Sequence, residues 1–168
     1  MGLFSAAVAL FGKGGAGLQD TDRRPGSRRP DAAPEAKATV LIIDDDPGFL
    51  ETMRTLLSSE GYNVLASSTG PKGLDMMRYA PRDIGAVLLD FNMPRFNGAD
   101  TLQFIRKLRP DVKVLAVSGV KMNELPSEFR EGVQRVLPKP FNNGDLLKAI
   151  DEVIQGDSAT EAAAPAAT

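Results

Sequence analysis

The sequence contains neither cysteine nor histidine. The absence of cysteine excludes disulfides, thiolate metal sites and cysteine nucleophiles. The absence of histidine removes the most common general base and the most common zinc ligand. The chain therefore cannot carry a phosphohistidine of its own, and any histidine chemistry must be supplied by a partner.

The chain also lacks a large net charge and a long apolar run. Of its 168 residues, 42% are hydrophobic and 25% are charged, and the net charge is −2. This is an ordinary globular balance. The small negative net charge disfavours nucleic-acid binding through the N-terminal arginines, because such binding needs a basic surface. The longest apolar run, residues 3–11, is about half as long as a membrane span and lacks the features of a signal peptide. We expect a cytoplasmic protein.

Three zones follow one another along the chain. Residues 1–37 combine the apolar run with a glycine cluster and an Arg/Pro/Asp/Ala segment that is too poor in large apolar side chains to build a core. We expect a disordered extension here, with a short apolar helix over residues 3–11 left open. Membrane contact by residues 3–11 is the less favoured alternative to an extension that binds nothing. Residues 38–156 form the one expected domain, and residues 157–168 are predicted to be a disordered tail.

The domain alternates between apolar runs and amphipathic stretches. Short apolar runs predict strands over residues 39–43, 62–66, 86–89, 112–117 and 134–137. Apolar side chains at helical spacing predict helices that begin after Asp46 and near Pro71 and that span residues 98–108, 126–131 and 143–154. Asp46 is assigned to a helix cap because Pro47 follows it. The alternation predicts an α/β fold, a doubly wound five-stranded parallel sheet with five helices.

Polar side chains follow four of the predicted strands. Asp44 and Asp45 come after the first strand and Asp90 after the third. Ser118 follows the fourth strand, and Lys139 follows the fifth. Because the carboxyl ends of neighbouring parallel strands converge on one crevice, we expect these side chains to meet there.

This combination of residue types indicates metal-assisted phosphoryl chemistry. Clustered carboxylates repel one another unless a cation lies among them, and hard oxygen ligands suit Mg²⁺. An aspartate can attack a phosphoryl group to form an acyl phosphate. Lys139 would then pair with one phosphoryl oxygen, and Ser118 would donate a hydrogen bond to another.

The domain resembles the receiver domain of bacterial two-component response regulators, over residues 39 to about 155. The resemblance is carried by Asp44-Asp45, Leu89-Asp90-Phe91-Asn92-Met93-Pro94, Gly98, Ser118-Gly119, Gly132 and Lys139-Pro140-Phe141. It implies the flavodoxin-like arrangement of the fold and assigns Asp90 as the acceptor of a phosphoryl group from a sensor histidine kinase or a histidine phosphotransfer protein.

The same resemblance assigns the remaining site residues. It implies that Asp45, Asp90 and the backbone carbonyl of Asn92 ligate Mg²⁺, with Asp44 acting nearby through water. It further implies that Ser118 and Lys139 sense the phosphoryl group, and that the peptide bond between Lys139 and Pro140 is cis.

Two positions depart from the family pattern. Three residues before Lys139 the family often has a tyrosine or phenylalanine whose rotation reports phosphorylation, and this chain has Val136. The residue after the switch hydroxyl is commonly alanine in the family and is Gly119 here. Neither change removes a chemical group from the site, so we expect the capacity for phosphorylation to remain.

The resemblance leaves the downstream role open. Only about a dozen residues follow the last predicted helix, so the expectation is a stand-alone, chemotaxis-regulator-like receiver without an enzymatic output domain. Such a protein would bind a partner through about residues 121–155 when phosphorylated. The alternatives are a phosphotransfer intermediate or phosphate sink, and a receiver-like binding module that is never phosphorylated.

Overall fold

Five parallel strands and five α-helices alternate along the described part of the chain, residues 37–79 and 84–156 of a computed structural model. The strands are β1 (Thr39–Ile43), β2 (Asn63–Ser67), β3 (Ile84–Asp90), β4 (Lys113–Ser118) and β5 (Arg135–Pro138). The helices are α1 (Pro47–Ser59), α2 (Gly70–Tyr79), α3 (Gly98–Leu108), α4 (Ser127–Glu131) and α5 (Asn143–Gln155). A short 3₁₀ turn, Met122–Glu124, precedes α4.

The strands form one sheet in the order β2-β1-β3-β4-β5, and every neighbouring pair is parallel. The predicted doubly wound parallel sheet is therefore confirmed. The expected disordered segments lie outside the described residues, apart from Lys37, whose amide donates to the Gly61 carbonyl over 2.9 Å. Among the described residues, no helix combines the length and hydropathy needed to cross a membrane.

Both faces of the sheet are covered by helices, which explains why the strands are continuous apolar runs. Successive side chains of a strand point to opposite faces. The apolar layer between the sheet and helices α1 and α5 includes Val40 and Ile42 of the sheet and Leu57, Leu146 and Ile150 of the helices. The apolar layer on the other face includes Leu41 and Ile43 of the sheet and Met77, Ile105 and Phe129 of helices α2, α3 and α4. The sheet is thus held between two apolar layers, and its carboxyl edge is left for polar residues.

Helix caps follow the strand ends closely. Asp46 caps α1, as predicted: its Oδ1 accepts hydrogen bonds from the amides of Gly48 at 2.8 Å and Phe49 at 3.2 Å. Asn97 and Asn142 cap α3 and α5 in the same way. Because each cap directly starts a helix, the loops after β1, β3 and β5 are short, and their polar residues stay at the sheet edge.

Candidate functional site

The polar residues singled out from the sequence lie together at the carboxyl edge of the sheet. Asp90 is the last residue of β3 and Ser118 is the last residue of β4. Asp44 directly follows β1, and Lys139 directly follows β5. The amide of Lys139 donates to the carbonyl of Ser118 over 2.7 Å, which holds the β5 loop against the end of β4. Parallel pairing alone thus brings together four segments that are far apart in sequence.

Lys139 bridges two of the acids. Its Nζ atom lies 3.0 Å from Oδ2 of Asp44 and 2.9 Å from Oδ1 of Asp90. The side chains of Asp44 and Asp90 are 2% and 5% exposed, whereas that of Lys139 is 32% exposed. Asp45 is exposed, yet one carboxylate oxygen from each of the three acids lies within 4.8 Å of the others. The site therefore gathers three carboxylates, two of which bind the same ammonium group.

The pKa shifts at the site reflect burial and the pairing of Lys139 with two acids. Burial raises the pKa of Asp44, and the lowering effects of the Asp46 amide and of Lys139 do not cancel that increase. For Lys139, burial by itself lowers the pKa, but the hydrogen bonds and charges of Asp90 and Asp44 outweigh it and raise the pKa. The Lys139 ammonium therefore stays charged beside its two carboxylate partners.

This donor set fits a divalent cation with a preference for oxygen. The three clustered carboxylates offer hard oxygen ligands, and the exposed Asp45 leaves an open approach from solvent. Mg²⁺ is usually held by one or two carboxylates and keeps several waters. Asp44, Asp45 and Asp90 therefore suit Mg²⁺ in number, charge and chemistry.

Asn92 and Ser118 occupy the loops beside the acids. The amide of Asn92 donates to Oδ2 of Asp90 over 2.9 Å, so both oxygens of that carboxylate have a donor. Ser118 is fully buried. Its Oγ accepts from the amide of Val120 at 3.0 Å and lies 3.4 Å from Oδ1 of Asn92. The serine hydroxyl thus connects the loop after β3 with the loop after β4.

Two residues, Phe49 and Gly98, support the site through contacts that only the three-dimensional structure gives. The Lys139 ammonium lies over the ring of Phe49, 4.6 Å from its centroid. The spacing of apolar residues along α1 carries no signal for this contact. Gly98 packs against the strand end: an added Cβ would lie 2.5 Å from the backbone oxygen of Asp90. A side chain there would collide with the backbone that carries Asp90.

Two cavities lie near these loops. A cavity of about 370 Å³ borders Asp45 and is lined by Thr69, Pro94, Arg95 and Phe96 among others. A larger groove of about 600 Å³ lies between α3 and α4. None of the three clustered acids lines that groove, so the carboxylate cluster at the sheet edge is separate from the larger space.

The sequence and the fold are similar to known signalling proteins. The family described as "Response regulator receiver domain" matches residues 40–151. The cell cycle transcriptional regulator CtrA of Caulobacter vibrioides is 29% identical over 117 residues, which are 69% of this chain and 50% of CtrA. The transcriptional regulatory protein CpxR of Escherichia coli is 32% identical over 117 residues, 69% of this chain and 49% of CpxR. The chain thus spans about half the length of these curated relatives.

Solved structures of receiver domains are also similar to this chain. A response regulator receiver domain protein from Clostridium thermocellum is 30% identical with a TM-score of 0.66, covering 71% of this chain and 96% of that one. A CheY-like receiver domain protein from Methanospirillum hungatei is 30% identical with a TM-score of 0.65. The match covers 71% of this chain and 94% of that one. Both likenesses extend over the described domain.

Proposed function

The chain belongs to the response regulator receiver domain family, and from this premise we propose that Asp90 is its phosphoacceptor. Receiver domains are phosphoacceptors that interact with histidine kinases and phosphotransfer proteins, and they bind Mg²⁺ at a cluster of aspartates. The proposed donor is a phosphohistidine on a sensor histidine kinase or a histidine phosphotransfer protein, because the chain has no histidine of its own.

The bridge from Lys139 to Asp90 and Asp44 is the observation that carries this proposal. It places a cation 2.9 Å from an oxygen of a nearly buried carboxylate, where a transferred phosphoryl group would carry its negative charge. Phosphoryl transfer depends mainly on positioning and on neutralising the phosphoryl oxygens. Lys139 supplies a positive charge at the required place, and the Asn92 amide fixes the second oxygen of Asp90.

Asp44, Asp45, Asp90 and the backbone carbonyl of Asn92 would hold Mg²⁺. When bound, the metal neutralises phosphoryl oxygens and helps to orient the donor. A carboxylate oxygen of Asp90 attacks phosphorus, the bond from phosphorus to the donor's imidazole nitrogen breaks, and the imidazole leaves with that electron pair. Lys139 accompanies the phosphoryl group as a counter-charge. The product is an acyl phosphate on Asp90.

Ser118 would read the modification. In the unphosphorylated protein its Oγ accepts from the Val120 amide. A hydroxyl that turns toward a phosphoryl oxygen releases that contact, so the loop after β4 rearranges. Val136 offers no aromatic ring to follow this movement, and we assign the response to Ser118 and the adjoining loop. The downstream partner would bind over about residues 121–155.

Val136 also favours a second candidate, a phosphotransfer intermediate or phosphate sink. A protein in that role needs the acceptor site and no ring that reports its state. It would exchange phosphate rapidly with a histidine phosphotransfer protein and bind no effector in a phosphorylation-dependent way. Either role places the protein in the cytoplasm, where ATP-derived phosphoryl groups are available.

The test is phosphate uptake by the full chain with Mg²⁺ and acetyl phosphate. We expect wild type to gain one acid-stable, base-labile phosphoryl group and Asp90→Asn to gain none. Asp75→Asn removes an exposed acid of α2 that lies 3.9 Å from Arg78, and it should match wild type. Wild type that takes up no phosphate, or Asp90→Asn that takes up as much as wild type, would rule out the proposal.

A further inference from the structure

The ammonium group of Lys139 has a third neighbour besides the two carboxylates. Its Nζ atom lies 4.6 Å from the centroid of the Phe49 ring. A cation over an aromatic face is attracted by the negative potential of the ring. Phe49 lies in the first turn of α1, after the cap residue Asp46 and four positions beyond the exposed acid Asp45.

The Phe49 ring is itself held in place from two sides. The amide of Phe49 donates to the Asp46 cap over 3.2 Å, which fixes the backbone of the first turn. The ring of Phe141 meets the Phe49 ring edge to face, with centroids 6.2 Å apart and an interplanar angle of 80°. Both rings pack against the apolar layer beneath α1 and α5. Lys139 and Phe141 thus reach the same ring from one loop, and the ring is a fixed surface under the ammonium.

A fixed surface matters because the other partners of Lys139 are also groups that take part in the reaction. Asp44 and Asp90 are the acids that suit Mg²⁺, and a cation that draws on their oxygens competes with Lys139 for them. The lysine stem is flexible and its side chain is 32% exposed, so an ammonium that loses both carboxylates could swing into solvent. The Phe49 ring is the neighbour that a metal ion does not take.

We propose that Phe49 is a positioning residue that keeps Lys139 over the site while the carboxylates change partners. This inference rests on the proposed phosphoacceptor function and adds a residue to it. It assigns Phe49 no contact with the phosphoryl group. Its effect passes entirely through the ammonium of Lys139, which the ring holds within reach of the phosphoryl oxygens.

Substitutions at residue 49 separate this role from simple packing. Phe49→Leu keeps an apolar side chain in the stripe of α1 and removes the aromatic face. Phe49→Tyr keeps both the packing of the ring and its aromatic face. The chain also offers a matched control, because Lys107 lies over the Phe104 ring at 5.2 Å on α3. Phe104→Leu removes a cation–π contact of the same kind at a ring that is 47% exposed.

The experiment measures the initial rate of phosphate incorporation from acetyl phosphate with Mg²⁺, at urea concentrations far below each unfolding midpoint. A cation–π contact at a partly desolvated site corresponds to a rate difference of about 3- to 10-fold. We expect Phe49→Leu to be slower than wild type by that factor. Phe49→Tyr and Phe104→Leu should lie within about twofold of wild type.

A second readout follows the contact itself without phosphorylation. Protons on the ε-carbon of Lys139 above an aromatic face resonate upfield, and NMR can follow them as Mg²⁺ is added. We expect the upfield shift to persist with Mg²⁺ in wild type and Phe49→Tyr and to disappear in Phe49→Leu.

The outcomes separate the two proposals. If wild type takes up phosphate and Phe49→Leu does so equally fast after losing the upfield shift, the positioning role is wrong and the acceptor function stands. If Phe49→Leu and Phe49→Tyr slow phosphate incorporation equally, the positioning role is also wrong, because altered packing at residue 49 would then explain the effect. If wild type takes up no phosphate at all, the acceptor function fails, and the positioning role fails with it.

Discussion

Lys139 and Asp90 are 49 positions apart in sequence, yet Nζ of the lysine lies 2.9 Å from Oδ1 of the aspartate. Asp44 binds the same ammonium at 3.0 Å from a third segment of the chain. One cation therefore holds together loops from β1, β3 and β5. The pair is part of the proposed reaction, and it is also a cross-link at the edge of the sheet.

Replacing the cation should weaken the fold. In Lys139→Met the apolar stem remains, but two nearly buried carboxylates lose their common partner. We expect the free energy of unfolding without Mg²⁺ to fall by about 1–3 kcal/mol, below the loss for a fully buried pair because Lys139 is partly exposed. Urea denaturation measures this loss. Lys148→Met removes an exposed lysine 3.8 Å from Glu152 and should change stability by less than about 0.5 kcal/mol. Lys139→Met at least as stable as wild type would contradict the cross-link.

Mg²⁺ should stabilise the fold through Asp45 and not through its neighbour Asp46. Asp45 belongs to the carboxylate cluster, whereas Asp46 caps α1. At free Mg²⁺ tenfold above its Kd, linkage predicts about 1.4 kcal/mol of added stability. We expect Asp45→Asn to lose most of this gain, as measured by urea denaturation with and without Mg²⁺.

Asp46→Asn is the matched control, because asparagine can still cap the helix. It should retain the full Mg²⁺ gain, while Asp46→Ala should lose about 1 kcal/mol with or without the metal. An Asp46→Asn variant that no longer responds to Mg²⁺ would place Asp46 in the metal site and overturn its assignment as a cap.

Two glycines near the site should respond in opposite ways to alanine. A Cβ on Gly98 would lie 2.5 Å from the Asp90 backbone oxygen and 2.6 Å from the Cα of Phe91, whereas nothing lies within 4 Å of a Cβ on Gly119. We expect Gly98→Ala to cost about 2 kcal/mol or more, because the backbone must move. Gly119→Ala should be neutral or stabilising by up to about 1 kcal/mol. Thermal unfolding of both variants decides this, and equal losses would contradict the packing at Gly98.

Much of this architecture could be predicted from the sequence because local signals agreed with the topology. The apolar run of residues 39–43 predicts a buried strand, and the Asp46–Pro47 pair starts α1 where expected. The observed strand ends differ from the predicted ones by a residue or two, because hydrogen bonds to other parts of the fold determine where a strand begins and ends. Tyr62 was assigned to β2, but its amide donates to the Leu57 carbonyl at the end of α1, so the strand begins at Asn63.

The topology predicts which residues form the site, but it does not predict the contacts between their side chains. Parallel strands bring Asp44, Asp90 and Lys139 to one edge whatever their rotamers. The contact between Lys139 and Phe49 depends on how a flexible stem lies over a helix turn 90 positions earlier in the chain. The approach of the Ser118 hydroxyl to the Asn92 side chain depends in the same way on two loop conformations. No periodicity in the sequence encodes such distances.

Tyr62 should make the stability of the fold depend on pH in the alkaline range. The side chain is buried, and its hydroxyl donates to the carboxylate of Asp151 on α5. Burial raises the pKa of Tyr62 well above its usual value, and the Asp151 carboxylate raises it further. A group whose pKa is raised by folding adds stability that is fully present below its unfolded pKa, about 10 for tyrosine. That stability is lost as the pH rises toward the folded pKa.

We therefore expect Tyr62→Phe to be less stable than wild type by about 1–2 kcal/mol at pH 8, where the hydrogen bond to a charged acceptor is intact. Above pH 10 the difference should shrink, because only wild type is penalised for keeping a phenol protonated. Urea denaturation between pH 8 and about pH 11 measures how the free energy of unfolding of wild type and of Tyr62→Phe depends on pH. Tyr79, the other tyrosine of the chain, is 80% exposed, so Tyr79→Phe should follow wild type throughout. Parallel curves for wild type and Tyr62→Phe would show that the buried phenol does not couple folding to pH.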